Sequence, residues 1–278
     1  MRIPTLATTV SAWAFGLALI AGISPASAID VTSLSSGGGT DVWRDGTFDG
    51  VSTRNGGSVT LSSQQSPDGD GSLRLSMPGA SAKATAIYTG TSVLGKLEYL
   101  TSVTYQYYRD PASTNSNVQA PSLRLVVSDG EGRQGFLVYE PVYNGGAPVP
   151  EGSWQTADAT TGHWWLYEGG VFENFGLTLS DWITDEFFDN STGTVSKQGF
   201  GEDALILGIE IGVGSGWAGD TLAFVDNINL SFLTDDKNET SFSWNFRAST
   251  TPVPEPATLA LMGAGLAGLW IVRRRRSV

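Results

Sequence analysis

The chain has no cysteine, a single histidine and three methionines in 278 residues, and only 16% of its residues are charged. Without cysteine there can be no disulfide, no thiolate nucleophile and no Cys-based metal or redox site. One histidine, His163, cannot build a multi-His zinc site. Ser153 and Asp158 lie near it in sequence, but there is no Gly-x-Ser-x-Gly elbow to support a hydrolase triad. No repeat of fixed period is present, which disfavours solenoids and propellers. Basic residues are also scarce, 16 against 28 acidic ones. Setting aside the terminal Arg2, Arg273, Arg274, Arg275, Arg276 and Glu255 leaves 11 basic and 27 acidic residues, a net charge of −16 for the central body. Such a surface repels phosphate backbones, so nucleic acid is excluded as a partner. Neutral glycans, cations or simple solubility outside the cell fit better.

Long apolar runs occur only at the two ends. Residues 1–28 read as a secretory signal peptide. Arg2 supplies the positive start, residues 10–23 the apolar stretch, and Ala26 and Ala28 the small residues of a cleavage site. At the other end, residues 248–256 form a proline-rich linker that can continue neither strand nor helix. Residues 257–272 are continuously apolar or small, and a basic stop of Arg273, Arg274, Arg275 and Arg276 opens a cytoplasmic tail at 273–278. A helix over 257–272 rises about 24 Å, short of a ~30 Å hydrocarbon core but workable with snorkelling arginines. The positive-inside rule leaves the body outside.

The order Val253-Pro254-Glu255-Pro256-Ala257, apolar span, arginine cluster resembles the PEP-CTERM sorting signal of Gram-negative bacteria. The resemblance covers the last 26 residues. It implies recognition by exosortase and the secretion machinery and a membrane-tethered intermediate at the inner membrane. The final location would be the cell surface or an exopolysaccharide matrix.

Between residues 29 and 247 the dominant period is two. In 204–213, Leu205, Leu207, Ile209, Ile211 and Val213 alternate with Ile206, Gly208, Glu210 and Gly212, as in a half-buried strand. Similar strands are expected at 72–77, 82–89, 97–108, 122–128, 135–143 and 240–246. Turns such as Asn55-Gly56-Gly57, Asp68-Gly69-Asp70-Gly71 and Asp129-Gly130-Glu131-Gly132 separate them. One helix is expected over 177–188, with Ser180 as its cap. The fold class is all-β, a single antiparallel β-sandwich of the jelly-roll kind.

The stretch Gly214 to Asp220, followed by Phe224-Val225-Asp226-Asn227-Ile228, resembles the closing strands of carbohydrate-binding-like jelly rolls. Asp226 shares parity with Leu222, Phe224, Ile228, Leu230 and Phe232, so strict alternation points it inward, where a carboxylate needs a partner. The resemblance implies a structural Ca2+ there, completed by Asp41 or Asp45. The competing reading is a bulge, with Asp226 accepting backbone N–H bonds.

Aromatic residues crowd the middle of the chain. Trp164, Trp165, Tyr167 and Trp182 are candidates for stacking on sugar rings, with Glu168, Glu173 and Asn174 near enough in sequence to hold hydroxyls. In a strand, however, Trp164 and Trp165 must point to opposite faces. No compact strand-borne pair of carboxylates marks a glycosidase. The expectation is a non-enzymatic exported protein associated with the surface or exopolysaccharide. A carbohydrate-binding module is the first alternative and a glycan-degrading enzyme the second.

Overall fold

A computed structural model describes residues 28–50, 53–184, 187–189, 194–196 and 199–248. The signal segment, the sorting motif, the apolar span and the arginine tail lie outside the described residues. No described helix is long and apolar enough to cross a membrane. The strands are β1 (Ile29–Val31), β2 (Val42–Asp45), β3 (Ser58–Ser62), β4 (Ser72–Pro78), β5 (Lys83–Thr89), β6 (Gly95–Lys96), β7 (Leu100–Arg109), β8 (Ser122–Ser128) and β9 (Gln134–Tyr139). Then come β10 (Trp154–Asp158), β11 (Trp164–Glu168), β12 (Val171–Leu177), α1 (Leu179–Ile183), β13 (Phe187–Asp189), β14 (Thr194–Ser196), β15 (Leu205–Gly214), β16 (Asp220–Leu233) and β17 (Glu239–Phe246).

Two sheets form a β-sandwich. In the first, β16 is flanked by β7 on one side and by β4 and then β17 on the other, with β10, β3 and β1 outside them. The second runs β12-β11-β9-β8-β15-β5-β2, with β6 at one end of β15. The chain passes between the two sheets at β1 to β2, β2 to β3, β4 to β5, β6 to β7, β7 to β8, β9 to β10, β10 to β11 and β15 to β16. Pairing is antiparallel throughout except where β1 lies parallel to β17. β13 and β14 make a separate two-stranded ribbon.

Strict alternation holds over most of this framework. Val103, Tyr105 and Tyr107 of β7, Leu123, Leu125 and Val127 of β8, and Ile209, Ile211 and Val213 of β15 all face the core. Register shifts interrupt it on β12 against β11, on β15 against β8 and on β16 against β7, and two of these bulges re-aim core residues. The β15–β8 register shifts between Ile206 and Gly208, which turns Ile206 inward and leaves Leu205 and Leu207 half-buried. The second bulge lies at Asp226 and Asn227, where the β16–β7 register shifts and Asn227 has φ +50°. Val225 and Ile228 therefore both face the core, although they differ in parity.

Local chemistry corrects two further expectations. Residues 97–99 form a 3-10 turn before β7. The expected helix is only five residues long and begins at Leu179, two residues later than its apolar pattern implied. Its cap is Thr178 rather than Ser180, because the Asp181 carboxylate accepts from both the backbone N–H and the hydroxyl of Thr178 (2.7 and 2.6 Å). β12 continues to Leu177, the first residue assigned to the helix.

The sheets are locked together at one flank by aromatic rings. Trp244 of β17 lies 4.7 Å from Tyr88 of β5 and 5.6 Å from Trp43 of β2, and it stacks on Phe242 at 5.7 Å. Trp244 is wholly buried, so removing its ring leaves a cavity spanning both sheets. Trp244→Ala is expected to cost about 3–5 kcal/mol in urea-unfolding measurements, and a cost under about 1 kcal/mol would show that the flank does not join the sheets.

Candidate functional site

The pleat of β11 sends alternate residues to opposite faces of the second sheet, and on the outer face Trp165 is 8% exposed beneath its aromatic neighbours. Trp164 points into the core and is wholly buried, and its indole N–H donates to the Ala159 carbonyl (3.0 Å). Trp165 points the opposite way, onto the outer face of the second sheet. There strand register places Trp165, Val138, Arg124, Glu210 and Ile87 side by side across β11, β9, β8, β15 and β5. Glycines 208 and 212 flank Glu210 on this face and keep its floor low. A Cβ at Gly212 would stand 2.6 Å from Thr85 Oγ1 and 2.8 Å from the Ala84 carbonyl oxygen.

Above this rung lies a groove of about 310 Å³. One wall is aromatic. Trp165 stacks on Phe175 at 5.2 Å and meets Phe172 at 5.4 Å, and Phe172 in turn meets Tyr167 at 5.1 Å. Tyr143 packs on Phe175 at 5.3 Å. Phe172, Phe175 and Tyr143 are 61%, 45% and 46% exposed, so this wall is open to solvent. The opposite side is ionic, lined by Asp49, Arg54, Lys83 and Arg124. A second cavity of about 600 Å³ shares Asp49 and Tyr167 with the first and prolongs the groove toward Phe48 and Phe136.

The charges here are partly desolvated. Glu210 is fully buried; its Oε1 accepts the Phe48 N–H (2.6 Å), and Arg124 lies 3.5 Å from its Oε2. Burial raises the Glu210 carboxyl, and Arg124, the Phe48 N–H and Lys83 oppose the rise. Burial also raises Glu140, opposed by Arg124 and by the Trp165 indole N–H, which donates to Glu140 Oε2 at 3.3 Å. Lys83 is held down at about 8, by burial first and by repulsion from Arg124 next.

Of the four aromatic candidates, the structure brings Trp165 and Tyr167 to the groove and takes two away. Trp164 is core, and Trp182 is buried under the second sheet, its indole N–H donating to the Trp164 carbonyl (3.2 Å). Glu168 is engaged by Arg133 (2.8 Å). Nothing is described of the Glu173 and Asn174 side chains. His163 is exposed, and its backbone N–H donates to Asn144 (2.6 Å). Phe172 and Phe175 belong to the same aromatic-rich stretch of sequence as the four candidates, whereas nothing in the sequence marks out Tyr143, Arg54, Lys83 or Arg124 as site residues. For Arg124 the signal is the parity of β8, which becomes readable once strand order is known.

Asp226 sits in its bulge at the far side of the sandwich, fully buried. Its Oδ1 accepts the N–H groups of Asn227 and Phe246, both at 2.8 Å, as the bulge reading requires. Among the described residues its Oδ2 has no hydrogen-bond partner, and neither does the buried Asn245 Oδ1. Both atoms are acceptors, so a donor or a cation would be needed to satisfy them. The carboxylates that act on Asp226 are Asp70 and Asp68, on the loop joining β3 to β4. Asp41 and Asp45 belong elsewhere. Asp41 accepts from Tyr88 and the Thr91 N–H, and Asp45 from Thr53, all on the second sheet or its loops. The oxygen-only set at Asp226 suits a hard cation in kind. Among the described residues, however, no three His, Cys, Asp or Glu side chains form a group able to hold a metal.

Burial pushes the Asp226 carboxyl up to about 7, against its two backbone N–H bonds, and Asp70 and Asp68 add to the rise. In the unfolded chain the group titrates near 4, so between about pH 4 and 7 the folded state holds the proton more tightly. Its contribution to stability is full below about pH 4 and is lost as the pH rises through about 7. In melts at pH 5 to 8, the wild-type melting temperature is expected to fall relative to that of Asp226→Asn. Parallel curves for the two proteins would contradict this.

A protein-family profile described as the PEP-CTERM protein-sorting motif matches residues 252–276. No curated protein matches the chain. Among solved structures, one that matches is the family 11 carbohydrate-binding module from Clostridium thermocellum in complex with a β-1,3-1,4-mixed-linked tetrasaccharide. It is 11% identical at a TM-score of 0.33, over 74% of this chain and 96% of that one. The C-terminal segment of this chain is thus a PEP-CTERM sorting motif, which implies an exported protein handled by an exosortase.

Proposed function

We propose that this exported protein is a non-catalytic glycan binder of the cell surface or exopolysaccharide matrix, and that it holds its ligand in the groove on the second sheet. The observation that carries the reading is the open aromatic wall of Tyr143, Phe172 and Phe175 beside charged, partly desolvated groups. Exposed rings cost solubility, and they are stabilised when the apolar face of a sugar covers them while its hydroxyls reach polar neighbours. Glu140 and Glu210 argue for binding over hydrolysis. They project from strands two apart, with Arg124 on the strand between them. Strand spacing separates their backbones by about 10 Å or more. Glu210 is already committed to Phe48 and Arg124, whereas a glycosidase needs two carboxyl groups free to flank one bond.

Phe172 is exposed, so its removal carries little folding cost. Phe172→Ala is expected to weaken glycan binding about 2- to 10-fold on a glycan array or by calorimetry, with an unchanged melting temperature. Absence of binding to any neutral or acidic glycan by the intact full-length chain would overturn the reading.

The structural Ca2+ implied by the carbohydrate-binding resemblance belongs to the same proposal. Asp226, Asn245 and Asp70 are the residues that would hold it, and bound calcium would neutralise the buried carboxylate and tie the β3–β4 loop to β16 and β17. Protons compete for the same oxygen, so calcium is expected to raise the melting temperature at pH 8 more than at pH 5. No difference between calcium and chelator at pH 8 would remove the metal and leave the glycan site standing.

A further inference from the structure

Arg54, Lys83 and Arg124 are three of the 11 basic residues of a body whose net charge is −16, and all three line one groove. Elsewhere, four cations of this protein are matched by carboxylates, while Arg44, Arg74 and Lys237, each standing apart from other cations, make no ion pair among the described residues. Lys96 lies 2.8 Å from Asp203, Arg109 3.0 Å from Glu151, and Arg133 2.8 Å from Glu168, while Arg247 reaches both Asp30 and Asp70 at 2.9 Å. Among the described residues, Lys83 and Arg54 make no such ion pair, and Arg54 donates to the neutral Ser215 hydroxyl (2.8 Å). Arg124 shares Glu210 only through Nη1, and its buried Nε has no acceptor. At the Lys83 end of the groove three cations thus stand against two carboxylates, Asp49 and Glu210, the reverse of the balance over the body as a whole.

We infer that the groove takes an acidic polysaccharide, one whose sugar rings lie on the Trp165, Phe172 and Phe175 wall while a ring carboxylate is seated between Lys83, Arg54 and Arg124. This rests on the glycan-binding reading above and narrows it to a class of sugar. The global negative charge does not prevent it. At physiological ionic strength, charges beyond about 8 Å are screened, whereas the groove cations act at contact distance. The carboxylates nearby restrict where the acid can sit. Asp49 from the loop after β2, Glu140 at the end of β9 and Glu210 of β15 face the same space. Glu140 lies at the aromatic end, three strands from Lys83, or about 14 Å across the sheet. The acid thus belongs at the Lys83 end.

The state of Lys83 agrees with this placement. Burial and the neighbouring Arg124 and Arg54 disfavour its charge, and Glu210 and Asp49 only partly offset them. An anion arriving beside Lys83 favours the ammonium form, so binding takes up a proton near pH 8 and weakens as the pH rises through that value.

The test compares an oligogalacturonate with the same oligosaccharide after its carboxyl groups have been reduced to alcohols. Binding to the purified full-length chain is measured by calorimetry at pH 7 and pH 9, with and without 0.5 M NaCl. The acid form is expected to bind roughly tenfold more tightly at pH 7, with the preference shrinking at pH 9 and in salt. Lys83→Gln is expected to weaken the acid form several-fold more than the reduced one. Equal binding of the two forms, or a preference that survives Lys83→Gln undiminished, overturns the acidic ligand and leaves glycan binding in place. Binding of neither form, by a chain that still melts cooperatively, overturns the acidic ligand, and the glycan reading is then decided by the glycan array.

Discussion

The alternation of side chains across the second sheet is the constraint on which the groove depends. Successive residues of a strand must face opposite ways, so every inward anchor dictates an outward neighbour. Trp164 fills the core beside Tyr139, at 5.5 Å between ring centroids, and that contact turns Trp165 outward onto the groove. Leu123, Leu125, Ile209 and Ile211 hold β8 and β15 in the core, and their register presents Arg124 beside Glu210 on the other face. Burying the inner rows thus orients the outer ones without further cost. A slip of one residue in β11 would put Trp165 into the core and Trp164 into solvent.

Two fully buried carboxylates are handled in different ways, and each fits its place. Glu210 has a guanidinium and a backbone N–H for its two oxygens, so it can remain charged beneath a wet groove and hold Arg124 in position. Asp226 has backbone N–H groups for one oxygen and nothing for the other. A desolvated carboxylate with an unmatched oxygen favours a proton or a cation, and this raises its titration toward neutrality. The bulge at Asp226 and Asn227 creates this situation by turning the carboxylate toward Phe246 and the β3–β4 loop.

Much of the strand pattern was legible in sequence because it depends only on period and turn chemistry. β8 runs over the expected residues, and β4, β5 and β17 lie within one residue of their expected bounds. What failed did so for local reasons. A bulge adds a residue without changing composition, so the parity of Ile206 and of residues 222–226 could not be read from alternation. The 177–188 segment carries apolar residues at a spacing that suits a helix, yet its first residue completes β12 on β11. Of the four glycan candidates, Trp165 and Tyr167 line the groove and Trp164 and Trp182 are core. Adjacent tryptophans must diverge, but which of Trp164 and Trp165 is core depends on the facing sheet.

By itself, the sequence determined the features that are encoded locally. These are the sorting motif at 252–276, the absence of thiol chemistry, the acidic body and the two-residue period of a sandwich. Each rests on composition or on residues near one another in the chain. The tertiary structure alone decided which distant residues meet. Arg124 and Glu210 are 86 positions apart, Lys83 and the Trp165 wall are separated by a similar stretch, and Asp226 meets the loop bearing Asp68 and Asp70 across nearly twice as much chain. Such meetings follow from strand order and register, which arise when non-local pairing buries the inner rows together, and no local pattern specifies that pairing.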